Sequence, residues 1–250
     1  MDKAPEAAVV VRGRDIPARG RSEALTQQKS RASRRPDQLT GGRHGLSASE
    51  VATSQRERIL RATTSAVGEH GYQGTRIADV VWRAGVSRKT FYELFASKEE
   101  CFAATYERQI DRLLEVTLDA YGDDEAKWAD RLRSALDALL SDLASEPDIA
   151  RLCFVEAIAA GDAVARRRDA AMQAFASLFD TPEARARPLA ETVRMGRVGE
   201  LSEVLRREIV AGRTRRLPEL LPDLTYSMVL PFLGADAAKR ELDRARSGRR

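Results

Sequence analysis

The chain is short of the residues that build metal, disulfide and catalytic centres. Its 250 residues include two cysteines, Cys101 and Cys153, and two histidines, His44 and His70. Neither pair has metal-ligand spacing, so no disulfide framework or zinc site is signalled, and both cysteines read as small helical core residues. No nucleophile motif and no Gly-rich phosphate loop after a strand is present, so an all-helical enzyme has no catalyst to assign and no cofactor is expected. There is no apolar run near the roughly 20 residues that cross a bilayer. The early "AAVVV" has neither the length nor the cleavage pattern of a signal peptide, so the expectation is a cytoplasmic chain without a membrane partner.

What is present is charge, unevenly spread. The net charge is +4, yet residues 1–100 hold 18 Lys or Arg against 12 Asp or Glu, while the rest hold 24 against 26. A basic front on a near-neutral body suits nucleic-acid binding, although a basic tail alone would supply part of it. Residues 1–46 mix Arg, Pro, Gly, Ser and Gln with almost no periodic apolar residues, and read as a disordered basic extension.

From residue 47 the pattern is helical. "SASE" offers a capping box from Ser47 to Glu50, and the helix that follows turns Val51, Ile59, Ala62, Ala66 and Val67 toward a core before Gly71 ends it. Thr75 is placed to cap a second helix with Ile77, Val80 and Val81 on one face, and Gly85 to end it in the left-handed conformation. Ser87 caps a short third helix carrying Arg88, Lys89, Thr90, Phe91 and Tyr92. Ser97 and Glu100 open a fourth with another capping box. This is a helix-turn-helix pattern over residues 47–96.

Two of these helix starts hold cations, Arg88 and Lys89 after Ser87 and Lys98 after Ser97. A helix N-terminus carries partial positive charge, so cations there oppose the local field. A phosphate at the same place would collect the N–H groups, the macrodipole and the cation together, and the misfit would become an attraction. The plain alternative is solvated surface charge.

Residues 55–105 resemble the N-terminal DNA-binding domain of the TetR family of bacterial transcriptional regulators. The features that carry the likeness are the "GY" turn, Thr75, "AGVS", the run Thr90 to Tyr92, Phe95 and "SKE". "GRHGLSASEVATSQRER" resembles actinobacterial members, and beyond residue 110 the likeness is architectural. Val81 stands where relatives commonly have Ala, and Lys89 where many have Gly. The resemblance implies that Ser87, Arg88, Lys89 and Thr90 face base edges and nearby phosphates of a double-stranded DNA operator. Tyr92, Lys98, Thr75 and Arg76 would grip the backbone, and Arg43 is a candidate for the minor groove against the plain reading of a tail without contacts. Arg88 is the first choice for reading guanine.

The family also implies the rest of the architecture. The expected fold is all-α, a three-helix DNA-binding domain followed by a larger helical ligand-binding and dimerisation domain over residues 97–235, then a charged tail over 236–250 that frays. The last two long helices, near 188–211 and 219–233, would form a homodimer interface through Gly196, Gly199, Leu201, Val204, Leu205, Leu221, Leu224 and Met228, with burial inside the monomer as the rival reading. Trp128, Phe154, Met172, Phe175 and Phe179 would wall a pocket for a small apolar or amphipathic effector, or simply fill the core. Glu156 would orient a polar or cationic ligand, or pair with an Arg of "ARRRD". The reading is a ligand-released repressor on a pseudopalindrome. The competing reading is a structural DNA-binding protein without sequence preference or effector.

Overall fold

In the computed structural model of the chain, residues 47–122, 125–180 and 191–247 are described, and among them there are helices and no strand. The expected extension over 1–46, with Arg43, lies outside the described residues. No helix among the described residues is long and apolar enough to cross a membrane.

Helix α1 runs Ala48–Gly74. The Glu50 N–H donates to Ser47 Oγ (3.2 Å) and the Ser47 N–H to Glu50 Oε2 (2.7 Å), so the capping box forms in both directions. Gly71, at φ 70° and ψ 166°, interrupts the helix in a region of backbone space essentially restricted to glycine. Helix α2, Ile77–Ala84, ends at Gly85 in the left-handed conformation (φ 63°, ψ 34°). Helix α3, Arg88–Leu94, is capped by Ser87 Oγ, which accepts from the Thr90 N–H at 3.0 Å. Helix α4, Lys98–Tyr121, is capped by Ser97 Oγ at 3.1 Å from the Glu100 N–H, while the Glu100 carboxylate reaches past Ser97 to the Ala96 N–H (2.6 Å).

The first three helices close on one apolar cluster, in which Ile59, Leu60 and Ala66 of α1 meet Val80, Phe91 and Phe95, with Cys101 of α4 beneath them. A larger cluster joins the remainder of α4 to α5 (Trp128–Ser145), α6 (Pro147–Phe154), α7 (Asp162–Ala176), α8 (Glu191–Val210) and α9 (Leu221–Leu233). Two helices serve both clusters. Val67 and Tyr72 of α1 belong to the large cluster and Cys101 of α4 to the small one, so residue 97 is no packing boundary. Polar contacts tie α4 to its neighbours on three sides. Arg108 pairs with Glu57 of α1, Arg112 with Asp142 of α5 (2.8 Å), and Glu107 and Asp111 with Arg167 of α7 (both 2.9 Å).

Two sequence expectations need correction. The charged tail does not fray over Ala235–Ser247 but forms helix α10. Ala238, Glu241 and Ala245 recur at helical spacing and are buried, and Arg244 pairs with Glu241 at 2.8 Å. Composition hid this stripe because small residues rather than large ones carry it. The other correction concerns the dimer candidates. Leu201, Leu205, Leu221, Leu224 and Met228 are buried within the monomer, in its large core. Gly196 is exposed, and Gly199 and Val204 are half-buried; a side chain added at either glycine would meet open space.

Candidate nucleic-acid interface and effector cavity

Helix α3 has two unlike faces. Phe91 is 1% exposed and Phe95, just past the helix, 2%, whereas Tyr92 is 56% exposed. Ser87, Arg88 and Lys89 are exposed as well, and Thr90 is half-buried with its hydroxyl 2.9 Å from Ser87 Oγ. Lys89 makes a long contact with Glu93 (3.7 Å), one turn away on the same surface. A short, rigidly seated helix thus presents a guanidinium, an ammonium, a hydroxyl and a phenol outward, as insertion into a major groove requires.

Two of the proposed backbone contacts have other partners. Thr75 is 2% exposed and its hydroxyl donates to the Gly71 carbonyl at 2.7 Å, so it closes the end of α1 and does not cap α2. That cap comes from Asp79, whose carboxylate accepts from the Arg76 N–H at 3.0 Å, with Arg76 exposed. The Lys98 ammonium turns inward, donating to the carbonyls of Tyr72 (3.2 Å) and Thr75 (3.3 Å) and lying 4.5 Å from the centre of the Tyr72 ring. The charge that opposes the field of α4 therefore answers the carbonyls at the end of α1, where cations are favoured.

A cavity of about 570 Å³, partly open to solvent, lies among α4, α5, α6, α7 and α8. Of the proposed wall residues, Phe154, Met172 and Phe175 line it, as do Tyr106, Cys153 and Arg168. Burial pushes the Cys153 thiol up to about 12 and Cys101, in the small core, up to about 11. Trp128 does not reach the cavity. It packs edge-on to Phe179 (6.1 Å) and Phe232 (5.1 Å) and donates its indole N–H to the Leu178 carbonyl at 2.9 Å. Phe179 lines a smaller void, of about 330 Å³, that shares Leu139, Phe175, Val198 and Leu201 with the first.

Glu156 likewise faces away from the cavity, and its partner is Arg151, not an Arg of residues 166–168. One carboxylate oxygen lies 2.8 Å from the Arg151 guanidinium, and the other accepts from the Tyr72 N–H at 2.8 Å. The carboxylate thereby satisfies a backbone donor set free by the break at Gly71. The segment holding Glu156 has two sides, since Phe154 and Ile158 wall the cavity while Glu156 holds α1.

Sequence reasoning passed over Arg151, Tyr106 and Ser202, and met Arg168 only among the arginines of "ARRRD" offered to Glu156. Arg151 stands five residues before Glu156, too far apart on a regular helix to meet; the break after α6 brings them together. Trp82, 65% exposed on α2, also went unremarked, although it lies off the Val80–Val81 core face.

Residues 59–105 match the model for bacterial regulatory proteins of the tetR family. A helix-turn-helix-type transcriptional regulator of Mycobacterium tuberculosis is 35% identical over 98 residues, which are 39% of this chain and 51% of that protein. The transcriptional activator FasR of Mycolicibacterium smegmatis is 28% identical over 100 residues, 40% of this chain and 45% of FasR. The chain thus spans about half the length of the curated relatives it matches. Among solved structures, the fatty acid degradation regulator FadR of Bacillus halodurans superposes with a TM-score of 0.63 at 16% identity, over 70% of this chain and 94% of FadR. FadR of Bacillus subtilis, solved with stearoyl-CoA, gives 0.60 at 16% identity over 69% and 97%. At such identities the likeness is one of fold. Residues 59–105 thus carry a helix-turn-helix of the kind found in bacterial regulatory proteins of the tetR family, joined to a helical body whose fold is shared with the FadR structures.

Proposed function

We propose that the chain is a sequence-specific transcriptional regulator that binds a pseudopalindromic operator as a homodimer and is released from it by a small effector, acting as a repressor. The observation that carries the reading is the outward set Ser87, Arg88, Lys89 and Tyr92 on a helix whose other side is locked by Phe91 and Phe95. One such module reads few base pairs, so specificity calls for two, about 34 Å apart on successive major grooves. The open side of α8 at Gly196 and Gly199 supports pairing there, together with Val204 and the exposed Leu230 of α9.

The effector reading rests on the cavity and on the stearoyl-CoA complex of the FadR neighbour. Its route to DNA is the segment from Phe154 to Ile158. An occupant pressing on Phe154 and Ile158 displaces Glu156 from Tyr72, and the end of α1 shifts with the helix-turn-helix attached to it. Release equals the effector's differential affinity for the two arrangements, no more.

Selection of bound duplexes from a random pool, followed by titration of the selected site at fixed salt, tests the reading. The expected result is a twofold-symmetric site bound about 10³-fold or more above bulk DNA. Equal affinity for all duplexes would establish the structural DNA-binding alternative.

A further inference from the structure

We infer that the cavity takes a single-chain amphiphile with an oxyanion head, the head held by Tyr106 and Arg168 and the chain running into the smaller void. This rests on the effector reading above and gives it a ligand class.

The polar groups on the cavity wall are few and of one kind. Tyr106 is 1% exposed, and its hydroxyl has no hydrogen-bond partner among the described residues. Burial holds the phenol protonated far above its usual range, so it is a donor awaiting an acceptor. Arg168 lies on the same wall; its ion-pair contact is a marginal 4.0 Å to Asp169, and its Nε is buried without a partner among the described residues. The neighbouring Arg167 turns its Nη2 to Glu107 and Asp111 and does not line the cavity, so among the described residues Arg168 is the guanidinium on its wall. Ser202 adds a hydroxyl, and among the described residues no carboxylate lines the space, Glu156 being committed to Arg151. Two donors and a guanidinium whose acid partner, Asp169, stands 4.0 Å away and off the cavity wall select an anion over a cation.

The tail end is equally one-sided. The smaller void continues past the shared residues Leu139, Phe175, Val198 and Leu201, with Leu132 and Met228 beyond them. Its polar residue, Thr117, already donates to the Leu113 carbonyl at 2.6 Å. Nothing in that lining rewards a polar atom, so its chemistry suits methylene groups and not a second head.

The test is calorimetric titration of the whole protein with dodecanoate, 1-dodecanol and dodecyltrimethylammonium. Dodecanoate binds best, Arg168→Gln weakens it about tenfold, and the alcohol changes by less than about twofold. Tyr106→Phe weakens dodecanoate while leaving the melting temperature of the unliganded protein unchanged or raised, because it deletes an unpartnered hydroxyl. A hydroxyl bonded elsewhere in the fold would instead lower stability on its removal and leave the preference for the acid intact. Dodecanoyl-coenzyme A distinguishes the two sources of the oxyanion: dependence on Arg168 belongs either to the free carboxylate or to the nucleotide's phosphates. Equal binding of acid and alcohol with no effect of Arg168→Gln, or preference for the ammonium, overturns the head assignment and leaves the effector reading standing. Failure of every chain to bind, with specific operator binding retained, overturns both.

Discussion

Helices α3 and α4 begin alike, with a serine cap followed by a cation, and their cations have opposite fates. At α3, Arg88 and Lys89 stand out in solvent; at α4, Lys98 folds back onto two carbonyls and an aromatic ring. The difference lies in what each N-terminus abuts. The start of α3 has nothing over it, so its exposed N–H groups and cations keep their demand for an anion. The start of α4 abuts the end of α1, where orphan carbonyls and the negative pole of another helix supply what the cation needs. A cation at a helix start is therefore evidence for an anion only when no other helix ends beside it.

Arg88→Ala should break the comparison hardest. If the outward set reads bases, the substitution costs about 1–3 kcal/mol at particular operator positions and relaxes preference there. The melting temperature should hardly move, because Arg88 is solvent-exposed. Competition titrations against single-base operator variants measure it, and a loss uniform across all variants would demote Arg88 to a phosphate contact.

Gly71→Ala probes the opposite side, the end of α1 that Lys98 and Glu156 both hold. With φ at 70° and ψ at 166°, alanine is strained, and its Cβ would lie 3.2 Å from Glu156 Oε2. The expected loss is about 1–3 kcal/mol of unfolding free energy. Urea titration checks this, and an unchanged midpoint would mean that the break tolerates an ordinary helix end.

Much of this was legible in the sequence, for identifiable reasons. Caps at Ser47, Ser87 and Ser97 and the stop at Gly85 are local, set within three or four residues, and the structure has each where the pattern predicts. Tyr92 stands outward, as the family resemblance implied, with Phe91 beside it turned inward. What failed was partner choice over distance. Thr75 and Lys98 are drawn to carbonyls of α1, Glu156 to a backbone N–H 84 positions earlier, and Trp128 and Phe179 to Phe232. Leu201 to Met228 could equally face a partner copy or their own core, since apolarity carries no address. The helix over Ala235–Ser247 was missed because an alanine stripe is faint beside seven charges.

Lys98→Met sharpens the contrast at intermediate size. Methionine keeps an apolar stem over Tyr72 but abandons the carbonyls of Tyr72 and Thr75, so a stability loss of about 1 kcal/mol is expected. The slope of DNA affinity against salt should change little, since two of the ammonium's three donors are already engaged. A slope reduced by about one would show that Lys98 releases a counterion after all.

Lys89→Ala is the mirror image and the gentlest perturbation. Its side chain is 86% exposed, and its contact with Glu93, 57% exposed, stretches to 3.7 Å. Exposed pairs of this spacing contribute about 0.2–0.5 kcal/mol, so the melting temperature should scarcely respond. On DNA the same ammonium has all its donors to give, and removing one phosphate contact lowers the salt slope by about one. Measuring both lysine variants for stability and salt slope gives a two-by-two result. The two helix environments require the large effects to fall on opposite corners, Lys98 in stability and Lys89 in slope. If both lysines lower the slope equally, the carbonyls at the end of α1 are relinquished when DNA binds, and the two helix starts are alike where it counts.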